Sequence, residues 1–370
     1  MGIIVGLPLG GASEKDYQVQ FGKNINVQVE MRAPLLPAEW ALQSGIQLTW
    51  PHAGTDWAYM LDEVQECFIH IAHEIALREK LLIVTPEPEE VKHLISDKVN
   101  MENVHFLPCE TNDTWARDHG AITMMDADGP SLLDFKFNGW GLKFDADKDN
   151  LITQHAVEAK ALKGNYVNRL NFVLEGGSIE SDGMGTLLTT SECLLSPNRN
   201  GQMNQVEIEE YLCSVFHIER VLWLDHGYLA GDDTDSHIDT LARFCSPDTI
   251  AYVQCTDTSD EHYEALRKME EQLKTFRTLN GEPYQLLALP MADKIEEEGE
   301  RLPATYANFL IMNDVVLYPI YRQPENDVRA GEVLIEAFPQ HDIIGIVCRA
   351  LIKQHGSLHC VTMQYPVGVL

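Results

Sequence analysis

Residues 171–190, NFVLEGGSIESDGMGTLLTT, decide the fold. NFVL at 171–174 is a short apolar strand and EGGS at 175–178 a small, polar tip. The chain then runs strand–turn–strand, reversing at DGMG, 182–185, where Asp and Gly suit a tight turn. An amphipathic helix near 152–163 precedes the block. The same order recurs outward in both directions. Upstream, a helix near 89–99 (Val91, Leu94, Ile95, Val99) leads into VHFL at 104–107, the tip WARDHG at 115–120 and a turn at DADG, 126–129. Downstream come a helix near 205–216, VLWL at 221–224, the tip DTDSHID at 233–239 and a turn at SPD, 246–248. A helix near 259–276 then precedes QLLAL at 285–289, the tip YANF at 306–309 and a turn at MND, 312–314. Last are a helix near 326–338, DIIGIV at 342–347 and the tip GSLHC at 356–360.

A coarse repeat of this kind predicts a radial or stacked α/β architecture. In a closed radial array the tips face one axis, so Asp118, Glu175, His237, Asn308 and Cys360 would converge on one cavity. A doubly wound α/β sheet also gathers loops at its strand ends, but it wants longer parallel runs and fewer hairpins. Residues 1–30 fit no unit and read as an N-terminal extension or an extra strand. No linker rich in Pro, Gly or Ser interrupts 31–370, which reads as a single catalytic domain. The charge-rich IEEEGERL at 295–302 reads as an exposed, solvated loop.

The chain has 370 residues, 27 Lys and Arg against 57 Asp and Glu, and a formal net charge of −30. That balance excludes a nucleic-acid backbone as partner and suits a cationic substrate, since an acidic cleft concentrates cations. No segment reaches the length of a membrane span, and the N-terminus lacks the basic start of a signal peptide. The eight cysteines include no CxxC pair, which argues against a zinc ribbon or a dithiol site. A cytoplasmic protein with reduced thiols is expected.

Cys360 stands where a small, turn-prone approach (Gly356, Ser357) meets an alternating, strand-like exit. An isolated cysteine is most often a core residue, but here it shares the tips with a histidine and three carboxylates. His237 and Asp239, two apart, would face one side of a strand. A thiol with a histidine suits nucleophilic catalysis. Three carboxylates around it would repel the oxyanion of a peptidase and raise the thiol pKa. They match a guanidinium, which is planar, forked and cationic. His237, Asp239 and Glu175, or His355, His359 and Cys360, contain metal-ligating types, but no HExxH or paired-Cys spacing supports a metal.

NDTWARDHG at 112–120, FNGWG at 137–141, the block from Leu174 to Asn200, DTDSHIDTLARF at 233–244, YANF and GSLHC together resemble the agmatine deiminase family. That family belongs to a guanidino-modifying superfamily that also holds bacterial peptidylarginine deiminase. WPHAGTDWAY at 50–59 is similar to the family's N-terminal segment. The resemblance covers roughly 32–370. It implies a five-bladed, pseudo-symmetric α/β propeller with the active site on its central axis, and neither cofactor nor metal. By the match in GSLHC, Cys360 would be the nucleophile. By DSHID, His237 would be the acid and base, and Asp239 a guanidinium clamp. By WxRD, Asp118 would be the second clamp and Trp115 a pocket wall. By EGG, Glu175 would support the histidine. Asn308 joins the substrate contacts, and Asp233 and Asp235 would meet the far end of the substrate. Gln354-His355-Gly356 replaces the family's glycine run, and Ala121 its proline.

The expected activity is hydrolysis of agmatine to N-carbamoylputrescine and ammonia through a covalent amidino-cysteine. Arginine or peptidyl-arginine are the alternative substrates. A non-catalytic binding module of the same fold is the alternative class, against which the full set of Cys360, His237, Asp118 and Asp239 argues. The partner is a small guanidino cation, and the sequence leaves open a homo-oligomer.

Overall fold

The hairpin at 182–185 forms as its turn residues require. Ile179–Ser181 and Thr186–Thr190 pair antiparallel across it, and Asp182 Oδ1 accepts the N–H groups of Met184 and Thr186, each at 2.8 Å. Helix Gln205–Phe216 then carries the chain back, so that Arg220–Leu224 lies parallel to Thr186–Thr190. The helix starts at a reciprocal cap: Asn204 accepts from the Glu207 N–H at 3.2 Å while Glu207 accepts from the Asn204 N–H at 2.8 Å. It stops at His217, in the left-handed conformation.

This computed structural model describes residues 35–370, together with the strands Gly2–Val5, Asp16–Phe21 and Ile25–Glu30, which pair antiparallel in that order. The expectation for residues 1–30 otherwise lies outside the described residues. The antiparallel pair plus parallel third strand occurs three more times. One copy is Ile122–Asp126, Gly129–Lys136 and Asn165–Val173. The next is Ala242–Ser246, Thr249–Gln254 and Gln285–Pro290. A third is Leu310–Ile311, Val315–Ile320 and Asp342–Val347. The fifth sheet joins distant parts of the chain: Thr362–Pro366 pairs antiparallel with Gln43–Thr49, followed in parallel by Lys80–Thr85 and Val104–Pro108. Each parallel return passes through a helix, as a crossover demands. Helix Leu61–Ala76 buries Val64, Phe68, Ile71 and Ile75 on one stripe, and Tyr263–Leu273 buries Leu266, Met269 and Leu273.

The fold is mixed α/β, and among the described residues no hydrogen-bonded ladder joins one of these five sheets to the next. The repeat is real, but its boundaries differ from the sequence expectation. The apolar strand before each tip belongs to the preceding sheet, and the hairpin after it to the following one. Each of the first four tips is therefore a crossing between sheets. The tips are also not strand ends. Asp118 sits in the short helix Ala116–His119, Glu175 precedes the turn Gly176–Ser178, and His237 precedes the turn Ile238–Thr240. Small and polar residues satisfy their backbone locally there and curl the chain. Residues 295–302, expected as a loop, form a small ribbon of Glu296–Glu297 against Glu300–Arg301.

Arg243 ties these pieces together. It is fully buried and is held by the carboxylates of Glu180 and Glu39. It also donates to the carbonyls of Ala307 at 3.1 Å and Phe309 at 2.7 Å, and stacks 4.6 Å over the Phe309 ring. One cation thereby spans two sheets, the fourth tip and the segment before the first strand of the fifth sheet. Removing it leaves two buried carboxylates without their counter-charge. Arg243→Met is expected to cost about 3–5 kcal/mol in urea unfolding. A loss below about 1 kcal/mol would show that the cluster does not hold the sheets together.

Candidate active site

Cys360 lies in a turn two residues ahead of the strand Thr362–Pro366. Asn308 fixes that turn. Its Oδ1 accepts the N–H groups of His359 at 2.8 Å and Cys360 at 3.3 Å, and the Cys360 thiol at 3.3 Å. Its Nδ2 donates to the Asp239 carbonyl at 3.3 Å. Asn308, expected among the substrate contacts, is instead fully buried with its carboxamide committed to the cysteine turn. A side-chain amide can accept at its oxygen and donate from its nitrogen at the same time.

Cys360, Asp118, His237 and Asp239 share one buried space. The Cys360 thiol is 3.9 Å from Asp239 Oδ2, and His237 Nδ1 is 3.7 Å from Asp118 Oδ1. Asp118 accepts from Trp140 Nε1 at 2.9 Å and from the Gly177 N–H at 3.0 Å. Asp239 Oδ2 accepts from His359 Nδ1 at 2.7 Å. Among the described residues nothing hydrogen-bonds Asp239 Oδ1 or either ring nitrogen of His237. These are the atoms a forked cation and a leaving amine would need.

Glu175 was expected to support His237. Its carboxylate is instead gripped by Arg199 Nε, at 2.9 and 3.1 Å. It stays beside the histidine: a Glu175 oxygen, Cys193 Sγ and a His237 ring nitrogen lie within 4.8 Å of one another. Glu39, Glu180 and His359 make a second such group. Both sets contain metal-ligating atoms, but Arg199 already neutralises the first and Arg243 the second.

Burial sets the charges. It pushes the Cys360 thiol well above its ordinary range, and the charges of Asp239 and Asp118 add to this. It likewise lifts Asp118, reinforced by Asp239. Burial drives the His237 imidazole down to about 3, so the ring is neutral in the free protein. Asp239 runs the other way: burial would raise it, but the His359 hydrogen bond and nearby positive charge hold it below the usual range.

A cavity of about 680 Å³ opens from Cys360 and Asp118 to solvent. Trp115 forms a wall, with Trp57 at 5.8 Å and Trp140 at 6.0 Å between ring centroids. Gly356 lies flat on that wall, since a Cβ there would come within 2.0 Å of the Trp115 ring. Trp140 takes φ 54° inside the turn Gly139–Leu142, a strained conformation that aims its indole at Asp118. The cavity lining is acidic, with Asp56, Asp113, Asp145, Asp147, Asp149 and Asp233. Burial lifts Asp113 to about 7, helped by Asp56, and Asp149 to about 7, helped by Asp113. Of the two aspartates expected at this end, only Asp233 lines the cavity. Asp235 is held by Lys143 and Arg199, each at 2.6 Å, and carries no free charge. The sequence reading missed Asp113 and Asp149. Asp113 stands five residues before Asp118 in NDTWARD, a proximity that could have flagged it. Arg117, next to Asp118 in the short helix, is buried off the cavity, on Gln364.

The chain matches the profile of the Porphyromonas-type peptidyl-arginine deiminase family over residues 35–366. A candidate agmatine deiminase from Marinomonas sp. is 31% identical, with 90% of this chain and 94% of the relative covered. Among solved structures, a candidate arginine deiminase from Porphyromonas gingivalis superposes with TM-score 0.87 at 51% identity, covering 91% of this chain and 99% of the other. A cysteine-to-serine variant of the C. jejuni agmatine deiminase with substrate bound superposes with TM-score 0.85 at 38% identity, covering 91% and 97%.

Gly177 sits at the centre of the constellation. A Cβ there would fall 2.7 Å from His237 Nδ1, 2.9 Å from Asp118 Oδ1 and 3.1 Å from Asp239 Oδ2. Gly177→Ala is expected to lower kcat/KM by about a hundredfold or more, because displacements of an ångström carry that cost. Unchanged turnover in a folded variant would place the chemistry elsewhere. The raised thiol gives a second test. Alkylation of Cys360 by iodoacetamide, followed by peptide mass mapping, should be slow at pH 7 and accelerate beyond pH 9. A cationic haloacetamidine should react faster at pH 7, since its charge offsets the aspartates. Fast, pH-independent alkylation by iodoacetamide would contradict the raised pKa.

Proposed function

The chain belongs to the Porphyromonas-type peptidyl-arginine deiminase family, and from that premise we propose that it is an agmatine deiminase, hydrolysing agmatine to N-carbamoylputrescine and ammonia. One observation carries the reading: a thiol, a neutral imidazole and two carboxylates converge where Cys360 and Asp118 meet a cavity with an acidic lining. We read the five sheets as blades of a propeller around that cavity. Their common strand order and the gathering of all five tips at one site support this arrangement.

Asp118 and Asp239 clamp the guanidinium, and Trp115 flanks it. The arriving cation replaces the missing positive charge between the carboxylates and makes ionisation of Cys360 favourable. His237, neutral beforehand, takes the thiol proton. The thiolate adds to the guanidinium carbon, giving a neutral tetrahedral adduct. His237 returns the proton to one nitrogen, the C–N bond breaks and ammonia departs, leaving a cationic amidino-thioether. His237 then takes a proton from water as its oxygen adds to the same carbon. In the collapse the hydroxyl proton passes to sulfur as the C–S bond breaks and the ureido product is freed. His237 gives up its own proton to solvent, where it converts ammonia to ammonium, and thiol and neutral histidine are restored.

The cavity favours an amine tail over an α-carboxylate. Its lining sets Asp56, Asp145, Asp147 and Asp233, with Asp113 and Asp149 only partly ionised near neutral pH, against Lys143 and Lys148. Lys143 is already engaged by the Asp233 carbonyl and Asp235, each at 2.6 Å. Arg199 and Arg117 are buried in other contacts. Lys148 pairs with Glu110 at 3.5 Å, so an arginine carboxylate would have to draw Lys143 or Lys148 from its partner or meet the acidic lining unpaired.

Ammonia release from agmatine, arginine and a blocked arginine peptide decides the substrate. Agmatine should lead arginine in kcat/KM by about a hundred- to a thousandfold. Cys360→Ala should release none from any of the three. Comparable values for all three substrates, or a preference for the peptide, would move the chain to the peptidyl-arginine branch.

A further inference from the structure

Asp239 is braced from behind. His359, the neighbour of the nucleophile, points away from the substrate cavity and is almost fully buried. Its Nδ1 lies 2.7 Å from Asp239 Oδ2. Its Nε2 lies 3.0 Å from Glu39 Oε2 and 3.1 Å from Arg243 Nη2. An ionised carboxylate only accepts, so Nδ1 must carry a proton toward Asp239. The other nitrogen has two complementary partners. A neutral ring accepts from Arg243 there, and a protonated ring donates to Glu39. Both protonation states of His359 therefore leave the bond to Asp239 intact.

A second, small cavity of about 80 Å³ reaches this brace. Glu39, Glu180, Arg117 and His359 line it, whereas Cys360 and Asp118 line the substrate cavity. His359 thus stands between Asp239 on one side and a separate opening on the other. Neither the guanidinium nor Cys360 needs to touch the ring for it to matter.

We propose that His359 is a positioning residue of the reaction, which holds the Asp239 carboxylate ionised and aimed at the guanidinium through its Nδ1–H donor. The role rests on the reading of Asp239 as a clamp. His359 faces Asp239 and Glu39 on its acidic sides, and Arg243 and Arg117 on its basic ones, with Glu180 behind Arg243. Without the donor, only the charge of Arg243 and the His237 ring oppose burial at Asp239, and its carboxyl moves up. The acid limb of the kcat/KM profile then shifts to higher pH.

Two amides separate this role from simple packing. The nitrogen of His359→Asn overlies Nδ1 and keeps the donor, whereas that of His359→Gln overlies Nε2 and loses it. His359→Gln is expected to lower kcat/KM by about thirtyfold or more and to move the acid limb up. His359→Asn should stay within about threefold of the parent, with the limb in place. Thermal melts accompany both, and where the Gln variant does not melt cooperatively, His359→Leu, isosteric with Asn, replaces it. Equal losses in the Asn variant and the donor-less one, with the limb unmoved, would overturn the proposal. Asp239→Asn run in parallel separates the two ideas. Near-normal turnover there removes the clamp and this role with it. A large loss there, beside equal His359 variants, removes only the positioning.

Discussion

Negative charge buried without enough positive charge is the constraint on which this structure turns. Asp118, Glu175 and Asp239 all lie out of water. Glu175 has Arg199, and Asp239 has His359. Asp118 has only the dipoles of Trp140 and the Gly177 amide, and its carboxyl rises accordingly. A medium of low polarity makes such an imbalance costly until a cation completes it. The site is therefore complementary to a guanidinium before any substrate arrives, and the same imbalance keeps Cys360 protonated in its absence. On the proposed mechanism, binding of the cation and ionisation of Cys360 become one electrostatic event.

The architecture delivers this because the tips are crossings between sheets. A residue at a crossing is held by the sheet behind it and the sheet ahead, which fixes its direction more firmly than a free loop would. Arg243 extends the effect beneath the site, where it binds Glu180, Glu39 and the carbonyls of the fourth tip. Asn308, on that tip, in turn fixes the turn carrying Cys360.

Much of this was legible in the sequence. The hairpin turns at DADG, DGMG, SPD and MND fell where local chemistry put them, and DIIGIV at 342–347 is a strand throughout. Cys360, His237, Asp118 and Asp239 came together as the tip positions suggested. What escaped was long-range. Nothing local to Glu39 signals Arg243, and nothing near Asn308 tells that its amide serves a turn some fifty residues later. The tips were read as strand ends because alternating residues suit a strand, yet Asp118, Glu175 and His237 stand at short helical turns; at two of them the hydroxyls of Ser178 and Thr240 donate back to the carbonyls of Glu175 and His237, which alternation does not register. Asp235 resembled a free substrate contact because two cations from other segments reach it only in the folded chain.

The sheet that pairs Thr362–Pro366 with Gln43–Thr49 also bears on how the protein is made. Tyr365 reaches Gln47 across 318 residues of chain. The ribosome exposes Gln43–Thr49 long before its partner exists, on the order of tens of seconds at typical elongation rates. During that interval the strand has an unpaired edge, the kind of surface that recruits chaperones or sticks to other nascent chains. The thiol emerges with the strand that covers that edge. The active-site cysteine thus enters the chain only when the last sheet around it can be completed.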